Sequence, residues 1–331
     1  MDWISDAEPL RRSRKSTMRK PWKVVLTTLG VIVAVPVLTI AATAIGSVIA
    51  TQVETSTLTP YGETVTVDGK SMNVVVAGNG DETIVLLPGL GTAAPALDFQ
   101  PLIAELQDTY RVVAVEPFGT GLSDQTDVPR TADNITREVH EALQELGIDR
   151  YTLMGHSISG IYALTYTAAY RDEVTAFVGI DSSVPDQPGW DDAIPTSTIS
   201  TMSALGLTRL LSGLAGDAYA GLPYDQDTKD AMQVLSNRNA AAPTLLDEMD
   251  RAPENFASVS GTTFPADLPV LLFVAEGDND VPGWLELHEA QAASVTRGEI
   301  VRVDGGHYLH HTQSPELAAQ TRTFLDSLAA G

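Results

Sequence analysis

The stretch Leu153-Met154-Gly155-His156-Ser157-Ile158-Ser159-Gly160 decides the fold of this 331-residue chain. An apolar run leads into a small residue, a histidine and a serine, and a helical pattern follows. This order predicts a strand, a tight turn and a helix, with the hydroxyl of Ser157 raised at the carboxyl end of the strand. A nucleophile in so strained a turn needs small neighbours two positions before and after it, which Gly155 and Ser159 provide. The usual pattern has glycine at the second small position, whereas this chain places Gly160 one residue later.

Short apolar runs and helical patterns alternate on both sides of this turn. Apolar runs with the length of buried strands lie at 83–87, 110–115, 175–180, 270–274 and 299–303, and helical stripes lie at 97–106, 131–147 and 314–328. Near the start, residues 63–67 and 71–76 flank Asp68-Gly69, which predicts a hairpin. The alternation predicts an α/β fold with a mostly parallel, doubly wound sheet and an antiparallel start. Residues from about 184 to 267 show helical patterns without a strand, which predicts an inserted helical lid.

Charge and hydropathy divide the N-terminal part of the chain. Residues 1–23 carry a net charge of +4, residues 24–50 carry none, and the remainder carries −27. A helix over 24–50 would be about 40 Å long, more than the ~30 Å hydrocarbon core of a membrane. Because the basic flank precedes the apolar run, the N-terminus is expected in the cytoplasm.

These features predict a basic cytoplasmic segment (1–23), one N-terminal transmembrane signal anchor (24–50), a short stalk (51–59) and an extracytoplasmic domain (60–331). Two alternatives remain open. Small-x-small patterns at 42–44 and 48–50 resemble cleavage sites of a signal peptide, and cleavage would release the domain as a secreted protein. The apolar run could also form a buried helix of a soluble protein.

Composition excludes several classes of function. The chain has no cysteine, so disulfides, thiolate metal sites and a lipid anchor on cysteine are excluded. The strongly acidic domain disfavours binding of nucleic acid. No group of His, Asp and Glu has the spacing of metal ligands, so neither a metal nor another cofactor is expected. The sequence gives no indication of the oligomeric state.

A serine nucleophile needs a base within hydrogen-bond reach and a carboxylate that orients the base. In a parallel sheet, the loops at the carboxyl ends of the strands supply such groups. Asp280 follows one late strand and His307 follows the last, which gives the chain order Ser157, Asp280, His307. Asp278 competes with Asp280 for the role of the acid. Two further histidines, His310 and His311, compete with His307 for the role of the base.

Five stretches in this order together resemble the α/β-hydrolase superfamily, over about residues 60–330. They are Leu87-Pro88-Gly89-Leu90-Gly91, Gly119-Thr120-Gly121-Leu122-Ser123-Asp124, the Ser157 stretch, Gly277-Asp278-Asn279-Asp280 and Gly305-Gly306-His307. The lidded esterase and peptidase branches are the most similar. Many relatives have His-Gly where this chain has Pro88-Gly89. A serine nucleophile argues against the dehalogenases and epoxide hydrolases of this fold, which use aspartate.

The resemblance implies a role for each matching residue. Ser157 would be the nucleophile, Asp280 the acid and His307 the base. The backbone N–H groups of Leu90 and Ile158 would form the oxyanion hole, and His156 and Gly89 would line the pocket.

The expected function is therefore that of a membrane-anchored, cofactor-free serine hydrolase. Its partner would be a small-molecule acyl substrate, with an ester as the expected bond. One alternative is a peptidase or amidase similar to the proline iminopeptidases, which would need a lid carboxylate to hold a peptide amine. The lid offers six candidates for this role: Asp225, Asp227, Asp247, Glu248, Asp250 and Glu254. The other is a non-enzymatic sensor that binds a ligand in the pocket of this fold. Replacement of Ser157 by alanine separates these possibilities.

Overall fold

The structure is a computed structural model, and it describes residues 20–277 and 281–329. In these residues eight strands form one sheet with the order β1-β2-β4-β3-β5-β6-β7-β8. The strands are β1 (Glu63–Val67), β2 (Lys70–Ala77), β3 (Thr83–Leu87), β4 (Arg111–Glu116), β5 (Tyr151–His156), β6 (Val174–Ile180), β7 (Val270–Ala275) and β8 (Gly298–Val303). β2 is antiparallel to both of its neighbours, and every pair from β4 to β8 is parallel. The predicted fold class is confirmed.

Helices cover both faces of the sheet. In chain order they are α1 (Lys20–Thr57), α2 (Pro95–Asp98), α3 (Gln100–Leu106), α4 (Ala132–Glu145), α5 (Ser159–Ala169), α6 (Thr196–Ala204), α7 (Leu207–Ala215), α8 (Gln226–Asn239), α9 (Pro243–Ser258), α10 (Trp284–Ala293), α11 (Leu309–Thr312) and α12 (Ser314–Ala329). Successive side chains of a strand point to opposite faces, so Val85 and Leu153 enter one apolar core and Leu86 and Met154 enter the other. Burial on both faces explains the continuous apolar runs in the sequence.

The first two strands are joined by the predicted hairpin. Asp68 and Gly69 both have positive φ values, 51° and 74°. A two-residue turn of this type needs positive φ at both positions, which Asp-Gly accepts at low cost.

Four helices, α6 to α9, lie between β6 and β7 in the region of the sequence that shows no strand pattern. We call residues 184–267 the lid. α9 packs against α5, and α8 packs against α2 and against the long helix α1. The lid therefore bridges the sheet domain and the N-terminal helix.

The helix α1 contains a stretch, Val24–Thr57, that is long and apolar enough to cross a membrane. It continues to Thr57, so the segment predicted as a stalk at 51–59 is mostly helical. The helical form is stabilised by the lid, because Arg209 donates hydrogen bonds to Glu54 (2.7 Å) and Thr51 (2.8 Å). The basic segment predicted at 1–23 lies mainly outside the described residues.

Candidate active site

Ser157 lies in the turn between β5 and α5, as the sequence predicts. Its φ of 55° is in the left-handed region, which costs a residue with a side chain energy and is typical of a strained functional position. A Cβ atom added to Gly155 would lie 2.8 Å from the Cβ of Ser159. The turn therefore requires glycine at position 155.

Ser159 occupies the position where the usual pattern has glycine. Its fully buried hydroxyl donates a hydrogen bond to the carbonyl oxygen of Pro88 at 2.5 Å. Pro88 begins the loop after β3, which carries the predicted oxyanion donor Leu90. The departure from the pattern thus adds a direct bond between the nucleophile turn and this loop.

Gly89 lies against Ser157 and His156. A Cβ atom there would be 3.1 Å from the Cβ of Ser157 and 2.7 Å from Nδ1 of His156, so no side chain fits without displacing the site. The backbone N–H groups of Leu90 and Ile158 have no hydrogen-bond partner among the described residues. Both donors are therefore available to a substrate oxygen, and their role as an oxyanion hole stays a prediction.

The imidazole of His307 is held by Asp181. Nδ1 of His307 lies 2.6 Å from Oδ2 of Asp181, the residue that directly follows β6. The other carboxylate oxygen of Asp181 accepts hydrogen bonds from the backbone N–H of Ala275 (2.9 Å) and from Nε1 of Trp284 (2.8 Å). Three donors thus fix a carboxylate that is 2% exposed. The arrangement leaves the Nε2 side of the His307 ring to act as a base.

The structure shows a carboxylate on His307 that the sequence analysis did not single out, and the assignment of Asp280 as the acid stays a prediction. The carboxylate that orients His307 belongs to Asp181, whereas Asp280 and its competitor Asp278 lie outside the described residues. A signal for Asp181 was present, because it too follows a parallel strand directly and lies between the serine and the histidine in the chain. Asp181 lies close to Ser157 because β6 is the neighbour of β5 in the sheet.

His156 holds the backbone of His307 by a hydrogen bond. Its Nε2 lies 3.1 Å from the backbone carbonyl oxygen of His307, so Nε2 carries the proton and Nδ1 is unprotonated. Nδ1 is buried and has no partner among the described residues. Burial lowers the pKa of His156 well below its usual range, and the neighbouring His310 and His307 add to this effect. His156 is therefore a neutral positioning residue.

The competing histidines form a cluster with Asp98, and the ring of His310 lies 4.6 Å from that of His156. Nε2 of His310 and Nε2 of His311 contact the two oxygens of Asp98 at 2.7 and 2.8 Å. Burial by itself would raise the pKa of Asp98, but the charges and hydrogen bonds of the two histidines outweigh it and hold that pKa well below its usual range. No sequence pattern predicts this cluster, because more than 200 residues separate Asp98 from the histidines.

The three side chains of this cluster bring possible metal ligand atoms within 4.8 Å of one another. A metal-bound histidine normally donates its second ring N–H to an acceptor. Nδ1 of His310 is buried without a partner among the described residues, so that support is missing. The cluster fits a hydrogen-bonded structural unit better than a metal centre.

A cavity of about 220 Å³ lies between the loops at the strand ends and the lid. The oxyanion loop contributes Leu90, and the loop after β8 contributes Tyr308 beside His307. From the lid, Tyr219, Met232 and Ser236 close the other side. Asp98 and His311 also line it, whereas Ser157 and His307 do not, so the cavity adjoins the loop after β3 and has part of its wall formed by α8.

The lid carboxylate Glu248 does not face this cavity; it lines a second, much smaller one behind Pro88 and Gly89. Its Oε1 accepts a hydrogen bond from the hydroxyl of Tyr162 at 2.8 Å. Burial raises the pKa of Glu248, which favours the neutral acid. This residue is poorly placed to hold the charged amine of a peptide.

Comparisons with known proteins agree with this architecture. The model of the Alpha/beta hydrolase family matches residues 84–321, more than two thirds of the chain. The uncharacterised protein YbdG of Bacillus subtilis (strain 168) is 24% identical over 285 residues, which is 82% of this chain and 88% of that protein. Among solved structures, an epoxide hydrolase of Vigna radiata has a TM-score of 0.62 at 19% identity, covering 80% of this chain and 98% of that one.

A second solved structure, described as a membrane phospholipase A and a bacterial virulence factor, covers 93% of this chain and 100% of its own. It has a TM-score of 0.60 at 18% identity, a likeness that shows the fold. With the family match, the eight-stranded sheet and the serine turn, the chain belongs to the alpha/beta hydrolase family.

Proposed function

We propose that this hydrolase is a membrane-anchored serine esterase with the triad Ser157, His307 and Asp181. The observation that carries the proposal is the 2.6 Å contact between His307 Nδ1 and Asp181, at the sheet edge that also presents Ser157. An imidazole oriented by a carboxylate, at the same end of the sheet as a serine in a strained turn, supports nucleophilic acyl transfer.

In the proposed cycle, His307 takes the proton of the Ser157 hydroxyl as the oxygen attacks the acyl carbon. The N–H groups of Leu90 and Ile158 stabilise the negative charge on the acyl oxygen, which is worth about 3–4 kcal/mol for one such donor in comparable enzymes. His307 then protonates the leaving alcohol, and an acyl-enzyme remains. Water activated by His307 hydrolyses the acyl-enzyme and restores the serine.

An ester is favoured over a peptide because none of the six candidate lid carboxylates is among the residues that line the larger cavity, and Glu248 is buried against Tyr162. The aspartate nucleophile that epoxide hydrolases use is replaced here by Ser157, so the structural likeness to the Vigna radiata enzyme is not extended to its reaction. The span Val24–Thr57 supports the membrane anchor, and the basic residues before it favour a cytoplasmic N-terminus.

The test uses the full-length protein in detergent, labelled with a fluorophosphonate and assayed on p-nitrophenyl esters of increasing acyl length. Labelling should be abolished in Ser157→Ala and strongly reduced in His307→Ala, and ester hydrolysis should fall in parallel. Folded wild-type protein that neither labels nor cleaves any ester would refute the esterase. Binding of a ligand that survives Ser157→Ala would instead favour the sensor.

A further inference from the structure

The exposed part of α1 has the length of a membrane core. Every residue from Val24 to Ala42 is exposed, a stretch of about 28 Å as a helix. This matches the ~30 Å of hydrocarbon that a spanning helix must cross. From Thr43 onward, one side of the helix is half-buried against the lid. The outer boundary of the hydrocarbon region is therefore expected near Thr43.

The lid contacts α1 at this boundary. The hydroxyl of Thr43 donates a hydrogen bond to the carbonyl oxygen of Leu205 at 2.8 Å. The next residue, Gly206, approaches so closely that an added Cβ atom would lie 2.3 Å from the carbonyl oxygen of Thr43. Gly206 also begins α7 with a φ of 70°. The corner between α6 and α7 is thus fixed at the level where the membrane ends.

The short helix α7 has two different sides. Leu210, Leu211 and Leu214 share one side and are 45%, 52% and 77% exposed. At 100° per residue, Arg209 lies on the opposite side, where it bonds Thr51 and Glu54. These partners are about 12–16 Å further along α1 than Thr43, on the side away from the membrane. Since Arg209 points away from the bilayer, the leucines point toward it.

We propose that α7 lies in the outer interface of the membrane, with Leu210, Leu211 and Leu214 inserted among the acyl chains of the lipids. This inference rests on the proposed membrane anchor. It adds a second contact with the bilayer, made by the lid. A helix with one apolar side and a charged other side binds in this way, with its apolar side about 5–10 Å deep.

The contact is apolar in character. The basic side chain of this helix, Arg209, is paired with Glu54, and residues 51–331 carry a net charge of −27. Attraction to anionic lipid therefore contributes little, and binding should occur on zwitterionic phosphatidylcholine and persist at high salt.

The arrangement connects the bilayer with the cavity that adjoins the loop after β3. α8 packs against α1 and provides Met232 and Ser236 to the cavity wall. An acyl ester dissolved in the membrane would thus contact the lid at the membrane surface where α7 is inserted. Membrane-resident acyl lipids are the substrate class that this position favours.

The test exploits the absence of cysteine, because a single introduced cysteine can be labelled with the environment-sensitive fluorophore NBD. Three full-length variants, Leu214→Cys, Val33→Cys and Glu299→Cys, are reconstituted in phosphatidylcholine vesicles with and without doxyl-labelled lipid. Val33 lies in the exposed span and reports the anchor, while Glu299 is an exposed position on β8 and serves as the aqueous control.

We expect blue-shifted emission and quenching by doxyl lipid at positions 33 and 214, with no quenching at 299. Quenching at 33 but not at 214 would overturn the lid contact and leave the anchor intact. Absence of quenching at both would overturn the anchor as well, while fluorophosphonate labelling would still report the triad. A blue shift at 214 without quenching would assign this face to a protein contact and would also overturn the proposal.

Discussion

Asp181 lies beside Ser157 because their strands are paired residue by residue. His156 at the end of β5 is in register with Ile180 at the end of β6. The residues that directly follow these two are Ser157 and Asp181. The backbone N–H of Ser157 further donates to the carbonyl oxygen of Ile180 at 3.3 Å. The same ladder therefore positions both Ser157 and the carboxylate that contacts His307.

Asp181→Asn should lower kcat by roughly 10³- to 10⁴-fold, because an amide no longer stabilises the imidazolium and favours the wrong tautomer of the histidine. The measurement is the hydrolysis of a p-nitrophenyl ester, with thermal unfolding as a check of the fold. Asp280→Asn is the matched control and should stay close to wild type. The reverse pattern would return the role of the acid to Asp280.

Gly89→Ala should nearly abolish fluorophosphonate labelling and ester hydrolysis. The added methyl group would overlap sterically with His156 and lie very close to Ser157. Displacement of either residue would disturb the reacting geometry. Gly306→Ala is the matched control, since a Cβ atom at this neighbour of His307 meets nothing within 4 Å. Equal activity of the two variants would show that the loop after β3 adapts freely.

Ser159→Ala tests the bond between the nucleophile turn and the oxyanion loop. Loss of the hydroxyl leaves the buried carbonyl oxygen of Pro88 without this donor, which should cost about 1–3 kcal/mol of unfolding free energy. We further expect kcat to fall more than KM rises, because the loop presents its donor to the transition state. A variant with lower stability but unchanged kcat would restrict Ser159 to a structural role.

Sequence periodicity was sufficient to predict the sheet, and the pattern of small residues was sufficient to predict the turn that carries Ser157. Both depend on neighbours within a few positions of the chain. The contact of Asp181 with His307 was not predicted, since Asp181 and Asp280 both follow apolar runs and spacing along the chain does not show which one reaches the histidine. Strand order decides that question.

Contacts between segments that are distant in the chain could not be predicted from the sequence either. The polar composition of residues 51–57 favours an extended stalk, yet a bond from Arg209, more than 150 residues away, holds them in a helix. Likewise, His310 and His311 look like alternative bases in the sequence, and only the fold reveals that Asp98 holds both.

The buried histidine beside the site predicts loss of stability in acid. Burial holds the pKa of His156 well below its usual range, so the unfolded chain takes up a proton near pH 6.5 that the native protein does not bind. The unfolded state then binds more protons, and stability must fall as the pH decreases below about 6.5, by up to ~1.4 kcal/mol per pH unit for this group. In His156→Gln the side-chain amide can still donate to the carbonyl of His307, but the titrating group is gone. Thermal unfolding of the full-length protein between pH 8 and 5 should therefore show a shallower pH dependence in the variant, whereas an unchanged slope would mean that His156 is protonated in the native state.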